Sequence, residues 1–185
     1  PVLHYNLALS LVRNQQYEEA VLYFSKAIEA AGPGQIAVQS HAHLGQIYFS
    51  RGNYELAADH LRRASDMAPD NGKYLYNLGV AYIRLKKDTE AIGVLKRAMS
   101  AGANQGEVLR ATSDALLSLN QPDLAVKALE RALYLNPDDV ATLFQLGDLA
   151  YKRRDLLKSL DAFKKVVNIT PGDKNTEEAL LKLGA

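Results

Sequence analysis

One short pattern recurs along the chain at nearly constant spacing, and this repetition constrains the fold more than any other feature. A small residue marks each copy, and successive markers lie 37, 34, 34 and 34 residues apart: Ala20, Ala57, Ala91, Ala125 and Ser159. A large apolar residue follows each marker four positions later, and a second small or apolar residue follows seven positions later. Because the copies follow one another without a gap, the sequence predicts a stack of similar units.

The apolar residues inside each copy return at intervals of three and four, which is the period of an amphipathic helix. In the third copy, Leu75, Leu78 and Tyr82 follow this period before a polar break, and Leu95 and Met99 follow it afterwards. Each copy therefore predicts two helices that are joined by a short turn.

Glycine and proline positions refine this prediction. A Leu-Gly pair recurs in three copies, with its glycine twelve residues before the marker: Leu44-Gly45, Leu78-Gly79 and Leu146-Gly147. At such a glycine, neighbouring helices can approach closely, and a larger side chain would cost roughly 1–3 kcal/mol.

Gly52 suits a left-handed backbone between two helices. Pro69-Asp70 and Pro137-Asp138 end second helices and predict an aspartate cap for the next one.

Together these residues resemble the tetratricopeptide repeat (TPR), whose period is 34 residues. The resemblance covers essentially the whole chain and implies an all-α fold, a right-handed α-solenoid of stacked antiparallel helix pairs. We expect a single TPR domain over 1–185, and the predicted repeats are 1–37, 38–71, 72–105, 106–139 and 140–173. The three extra residues of the first repeat predict a lengthened turn at Gly32-Pro33-Gly34.

Residues 174–185 remain after the fifth repeat, and they predict one more amphipathic helix. This helix is either a cap on the fifth repeat or the first helix of a sixth repeat that is cut short. The pair Leu183-Gly184 favours the second alternative, and both stay open at this point.

Charge and composition exclude several classes of protein. The 22 basic and 21 acidic residues nearly cancel, so the chain lacks the basic excess of a general nucleic-acid binder. There is no cysteine for a disulfide, a thiolate metal site or a thiol nucleophile, and no apolar run approaches the roughly 18 residues of a membrane helix. We expect a soluble protein, cytoplasmic or, in a bacterium, periplasmic. The chain starts at Pro1, so we expect a fragment whose targeting segment could lie upstream.

The sequence contains no recognisable catalytic or metal-binding motif. HExxH, a phosphate loop, a dinucleotide-binding glycine pattern and a nucleophile elbow are all missing. His41 and His43 are two residues apart and would point to different faces of a helix. We therefore expect no metal, no cofactor and no enzymatic activity, with His4 and His41 partly buried and His43 accessible.

In TPR proteins, the first helix of each repeat lines a concave groove, and the resemblance transfers that role to the matching positions here. The aromatic, amide and charged side chains at these positions are the expected site of peptide or protein binding. They are Tyr5, Asn6, His43, Gln46, Phe49, Lys73, Tyr76, Asn77, Arg84, Arg110, Asp114, Phe144, Asp148 and Tyr151. The same faces also carry Leu9, Val12, Arg13, Gln39, Val80, Leu117 and Gln145.

The resemblance thus implies a scaffold or adaptor that binds a peptide or protein segment in its groove. One alternative is a self-assembly module that stacks on copies of itself through its ends or convex face. The strong charge alternation between the basic third repeat and the acidic fourth repeat supports that alternative. A second alternative is a regulatory or docking domain of a larger enzyme. The partner itself cannot be predicted, because TPR folds serve many processes.

Overall fold

The computed structural model describes residues 1–184, and it describes Asn175 and Leu183 by their backbone alone. Over this range the chain forms eleven helices and no strand. The helices are α1 (Val2–Arg13), α2 (Tyr17–Ala31), α3 (Gln35–Ser50), α4 (Tyr54–Met67), α5 (Gly72–Arg84), α6 (Asp88–Ser100), α7 (Gln105–Ser118), α8 (Pro122–Leu135), α9 (Val140–Lys152), α10 (Leu156–Ile169) and α11 (Lys174–Leu183). No helix among the described residues is long and apolar enough to cross a membrane.

The helices form two compact units. In the first unit, Pro1–Ala103, the antiparallel pairs are α1–α2, α3–α4 and α5–α6, and α2 packs on α3 as α4 packs on α5. In the second unit, from Asn104 onward, the pairs are α7–α8 and α9–α10, and α11 packs on α10. The prediction of an all-α fold of stacked helix pairs is confirmed. A single domain over the whole chain stays a prediction, and each unit is described by itself below.

The repeated small and large residues form the core of each unit. All five markers are buried, and so are the large residues four positions after them: Phe24, Leu61, Leu95, Leu129 and Phe163. These large side chains belong to the second helix of each pair and point at the first helix. Burying one such side chain stabilises a fold by roughly 1.5–3 kcal/mol, so these five positions together contribute substantially to the stability of the units.

The Leu-Gly pairs explain how closely the two helices of a pair approach. A Cβ atom on Gly45 would lie 2.6 Å from Cγ of Leu61, and one on Gly147 would lie 2.7 Å from the ring of Phe163. Each glycine therefore leaves room for the large core residue of the partner helix, as the sequence predicted.

Each turn between the two helices of a pair contains one left-handed residue at the same place in the repeat. Gly52 has φ of 75°, and the equivalent residues have φ between 56° and 62°: Gln15, Lys86, Asn120 and Arg154. The prediction for Gly52 is confirmed. The other four positions were not predicted, because none of them is a glycine.

The extra residues of the first repeat lengthen a helix and not a turn. The turn at Gly32–Gly34 has three residues, whereas α3 has 16 residues and α5 has 13. The predicted lengthened turn is therefore wrong, because the added residues extend α3 by almost one turn at its start. The boundary predicted at 37/38 consequently falls inside α3, and the one at 105/106 falls inside α7.

The predicted aspartate caps are also displaced. Asn71 caps α5, where its side-chain oxygen accepts a hydrogen bond from the Tyr74 backbone N–H at 3.2 Å, and Asp70 does not. Asp139 precedes α9 but makes no cap hydrogen bond, since its carboxylate binds Arg110 and the hydroxyl of Thr142. Both helices therefore start one residue later than predicted, and only α5 has a side-chain cap at that position.

Candidate functional site

None of the residues predicted to line the groove is buried, and all of them lie on the first helices of their pairs. In the first unit they belong to α1, α3 and α5, and in the second unit to α7 and α9. Their exposure is compatible with binding, but only part of the set comes together in one place.

A pocket of about 220 Å³ in the first unit collects five of these residues. Gln46 and Phe49 reach it from α3, while Lys73, Tyr76 and Asn77 reach it from α5, and Val80 completes that side. The walls are mainly apolar, and amide and ammonium groups stand at the rim. Such a pocket has the size and chemistry to accept one large apolar side chain while polar groups contact the neighbouring backbone.

Leu61 of α4 also lines this pocket, and the sequence did not predict it as a site residue. It was recognisable only as a core residue, since it is the large residue that follows the marker Ala57 by four positions. The same side chain lies against Gly45, so the pocket wall is continuous with the core between α3 and α4.

His43 sits on the same face of α3, at its border with α1. Its Nε2 lies 3.3 Å from the Tyr5 hydroxyl, and its ring stacks on Phe24 at a centroid distance of 5.2 Å. Burial lowers the pKa of His43, the hydrogen bond to Gln46 acts in the opposite direction, and the charge of Lys73 lowers the pKa further. His43, which was expected to be accessible, is half-buried, because α1 and α3 approach each other at this point.

Two other residues of the first unit lie outside the pocket. Asn6 on α1 and Arg84 at the end of α5 are both exposed, and neither lines the pocket. Gln39 is on α3 but lines a separate cleft beside the inter-repeat turns, together with Asn71 and Tyr74. The predicted wall of the first unit therefore separates into one pocket and several isolated positions.

In the second unit, several predicted groove residues bind one another or their neighbours. Arg110 makes an ion pair with Asp139 at 3.1 Å, and both line a cleft beside the inter-repeat turns. Asp114 accepts a hydrogen bond from the side-chain amide of Gln145 on α9. These contacts link α7 to α9 and the turn before it. They also engage the polar groups of Arg110 and Asp114, which were predicted to face a partner.

Asp148 and Phe144 are partly covered by the last helix. Lys182 of α11 makes an ion pair with Asp148, and its ammonium lies 5.1 Å from the centre of the Phe144 ring. Partial burial acts to raise the pKa of Asp148, but hydrogen bonds from Lys152 and Lys182 outweigh it and hold the pKa below its usual value. Burial likewise acts to lower the pKa of Lys182, and Asp148 reverses that effect.

Phe144 also packs on the buried ring of Phe163 at a centroid distance of 5.6 Å, so it serves the core of the fifth repeat. Tyr151 at the other end of α9 is exposed. The second unit thus offers Tyr151 and parts of Asp114 and Asp148 to solvent.

A metal site was not expected, and the described part of the chain places no group of three or more histidine or acidic side chains where it could hold a metal ion. The histidines instead contact other side chains: His43 contacts residues of the preceding pair, and His41 contacts the second helix of its own pair. His41, which was predicted to be partly buried, is 8% exposed and lies beside His60 of α4.

Sequence profiles of the tetratricopeptide repeat match residues 1–70, 42–106 and 110–174. The chain belongs to the tetratricopeptide repeat family. Its TPR relatives include the BBSome complex member BBS4 of Bos taurus, which is 28% identical over 151 residues and 77% of this chain. The peroxisomal targeting signal receptor of Candida albicans is 26% identical over 178 residues and 91% of this chain. The chain spans only 29% and 30% of the lengths of these two relatives.

A solved structure has a very similar fold. MamA from Desulfovibrio magneticus RS-1, residues 41 to the end, superposes with a TM-score of 0.81, covering 90% of this chain and 93% of that one. The sequences are 18% identical, so the likeness shows a shared TPR fold and nothing about a shared partner. The TPR fold is an interaction module, which agrees with the expectation of a protein that binds proteins.

Proposed function

We propose that this TPR protein is a scaffold that binds an extended segment of a partner protein, and that the pocket between α3 and α5 is its main anchoring point. The segment places one large apolar side chain in the pocket, against Phe49, Tyr76 and Val80. The observation that carries the proposal is the convergence of five predicted groove residues on this one cavity.

The polar rim supports an extended peptide as the occupant. Asn77 and Gln46 stand on opposite sides of the pocket, and an amide side chain can both donate to and accept from a peptide backbone. Backbone pairing of this kind orients a segment, while the apolar side chain supplies most of the binding free energy.

Charge indicates an acidic group next to that anchoring side chain. Lys73 is exposed at the rim, and the third repeat contains six basic residues against two acidic ones. An aspartate, a glutamate or a terminal carboxylate of the partner would therefore be attracted to this side of the groove.

One relative supports the same kind of ligand. The Candida albicans relative is named as a receptor for a targeting signal, and its similarity extends over 91% of this chain. Recognition of a targeting signal is the kind of binding proposed here.

The proposal is tested by selecting peptides from a random display library on the immobilised full chain and measuring their affinity. We expect the selected peptides to share a large apolar residue beside an acidic one. The double variant Tyr76→Ala with Asn77→Ala should weaken their binding by at least about tenfold, since loss of an anchoring contact typically costs 1–3 kcal/mol.

A matched double variant on the same repeat serves as the control. Thr89→Ala with Glu90→Ala alters two exposed positions of α6 and should leave the affinity unchanged. The charge reversal Lys73→Glu should weaken acidic peptides and spare peptides whose acidic residue has been replaced by glutamine. Equal binding of the selected peptides by the native chain and by the Tyr76/Asn77 variant would contradict the proposal.

Self-association is the second candidate, and one surface favours it. At the start of α10 the side chains of Leu156, Leu157 and Leu160 are exposed, Leu157 by 82%. In the first and fourth repeats the position of Leu157 holds Glu18 and Asp123, which make ion pairs with arginines of the following repeat. At the position of Leu157 the fifth repeat thus presents a leucine where the first and fourth repeats present charge, and a second copy of this chain would bury it together with Leu156 and Leu160.

Light scattering over a range of concentrations tests this second candidate. We expect a dimer or larger species that Leu157→Glu converts to a monomer. The same change at Leu124, which is exposed on α8, should have no such effect. A native chain that stays monomeric at every concentration would exclude the second candidate and leave the peptide-binding proposal untouched.

A further inference from the structure

Two histidines from the paired helices α3 and α4 face each other directly. His41 and His60 are 19 residues apart in sequence, and their Nδ1 atoms lie 2.9 Å from each other. At this distance one ring donates its Nδ1–H and the other accepts with its Nδ1 lone pair. The contact therefore requires that one of the two facing nitrogens carries a proton and that the other does not.

The surroundings of the pair oppose a positive charge. His41 is buried, and the ring of Tyr48 stacks on His60 at a centroid distance of 5.5 Å. Among the described residues the charged side chains that act on the pair are Asp59 and Arg63, both on α4. Asp59 would favour a proton on the rings, but its carboxylate is engaged by Arg62 and Arg63, each at 2.9 Å.

These surroundings favour the neutral form of both rings. Burial lowers the pKa of His41 to about 4, and the charges of His60 and Arg63 add to that effect while Asp59 opposes it. Burial also lowers the pKa of His60, where Asp59 acts against the shift and Arg63 acts with it.

The pair is mechanically connected to the groove pocket. Tyr48, which stacks on His60, precedes Phe49 of the pocket wall, and Phe49 packs edge-on against Tyr54 of α4. On the other helix, Leu61 follows His60 and lines the same pocket. A change in the spacing of α3 and α4 at the histidine pair would therefore move two walls of the pocket.

We propose that His41 and His60 form an acid-sensitive latch, in which their shared hydrogen bond holds α4 against α3 and keeps the groove pocket in its binding shape. When both rings take up protons, two N–H groups and two positive charges face each other, and the contact opens. The effect of the latch on partner binding rests on the proposed function of the groove, whereas the latch itself does not.

The direction of the pH dependence follows from linkage. Because the His41 pKa is about 4 in the folded chain and about 6.5 in the unfolded chain, stability is full above pH 6.5 and is lost as the pH falls toward 4. Between about pH 7.5 and pH 5.5, His41 alone should lower the folding equilibrium constant about tenfold.

Urea unfolding of the full chain at these two pH values tests the latch. In the double variant His41→Asn with His60→Asn, two amides replace the imidazoles and can hydrogen-bond without taking up protons. Between the two pH values, the folding equilibrium constant of this variant should fall less than that of the native chain, by a factor of at least about ten. This factor is the contribution of His41 alone. The control Thr89→Ala, at an exposed position of α6, should keep the pH dependence of the native chain, and an unchanged dependence in the double variant would overturn the proposal.

A second measurement needs no substitution at the pair. Imidazole ¹⁵N shifts of the full chain, followed by NMR during acidification, should show His41 still neutral at about pH 5.5, because its titration is displaced well below that of a free histidine. Titration of His41 with a midpoint near 6.5 would overturn the proposal even if the double variant did not fold.

The connection to the pocket is tested without any partner. The chain has no cysteine, so Gln46→Cys provides one labelling site for an environment-sensitive dye at the pocket rim. On acidification the dye emission should change in the native background and stay constant in the double asparagine background. A change of equal size in both backgrounds would show that the pair does not control the pocket, whatever the outcome of the peptide-binding experiments.

Discussion

Gly72 shows how strongly a single position can be constrained in this fold. It is buried at the start of α5, and a Cβ atom there would lie 2.5 Å from the backbone nitrogen of Ala103 and 2.6 Å from the carbonyl oxygen of Ala101. Because these are backbone atoms, they cannot yield by rotating a side chain. The sequence did not identify this glycine, since it lies outside the Leu-Gly pairs.

We predict that Gly72→Ala lowers the free energy of unfolding by about 3 kcal/mol, the upper end of the cost of overpacking. The matched control is Gly93→Ala in the middle of α6, where a Cβ atom meets nothing within 4 Å. There alanine should raise stability by about 0.5–1 kcal/mol, because it favours the helix more than glycine does. Urea unfolding of both variants measures the difference, and a similar effect of the two changes would contradict this account of Gly72.

The histidine pair illustrates what sequence alone could not reveal at this scale. His41 and His60 belong to no motif, and only the register of α3 against α4 places their rings together. Polar pairs of this kind depend on distances between helices, which a repeat pattern does not fix. The buried markers such as Ala57, by contrast, were predictable because burial at a small position follows directly from the repeat.

At the scale of helices, the repeat predicted which segments are helical and where they turn. It also predicted the helix over residues 174–185, and α11 occupies most of that span. The register of this helix resembles that of α3: Thr176 and Ala179 are buried, as Ala37 and Ser40 are near the start of α3. A cap on the fifth repeat and the first helix of a sixth repeat both stay predictions. The side chain of Leu183 lies outside the described residues.

The docking of α11 leads to a prediction about Lys182. Its ammonium bridges Asp148 and the ring of Phe144, and it is the main polar link from α11 to α9. In Lys182→Met the ammonium group and therefore the link are lost, while a side chain of similar length is kept. Amide hydrogens of α11 should then exchange about tenfold faster, because a cation–π contact and a partly buried ion pair together contribute roughly 1–2 kcal/mol.

Lys152→Met is the appropriate comparison for that experiment. Lys152 also makes an ion pair with Asp148, at 2.6 Å, but it belongs to α9 and does not hold α11. Its replacement should leave the exchange of α11 nearly unchanged. If both variants accelerated exchange equally, loss of charge near Asp148, and not loss of docking, would be the cause.

At the scale of the molecule, the sequence was most informative about the fold and less so about the site. The resemblance to TPR proteins placed all groove candidates on exposed faces of first helices. It could not show that Arg110 forms an ion pair with Asp139 or that Asp114 accepts a hydrogen bond from Gln145. Such contacts depend on side chains of neighbouring repeats that differ from one repeat to the next, whereas the helices themselves depend on what the repeats share.

The resulting picture of function differs between the two units. The first unit offers an apolar pocket with a basic and amide rim, while Arg110 and Asp148, two predicted groove residues of the second unit, make ion pairs within that unit. Recognition should therefore depend mainly on α3 and α5. Variants of Phe144 or Asp148 should affect stability more than they affect the binding of a partner.

The central claim is that a partner segment binds at the pocket between α3 and α5. Chemical-shift mapping of the ¹⁵N-labelled full chain, titrated with a peptide selected by display, tests it most directly. We predict that the largest shifts fall on Gln46, Phe49, Lys73, Tyr76 and Asn77 and that they disappear in the Tyr76→Ala/Asn77→Ala variant. Shifts concentrated on α8 and α10, the second helices of their pairs, with α3 and α5 unchanged, would contradict the claim.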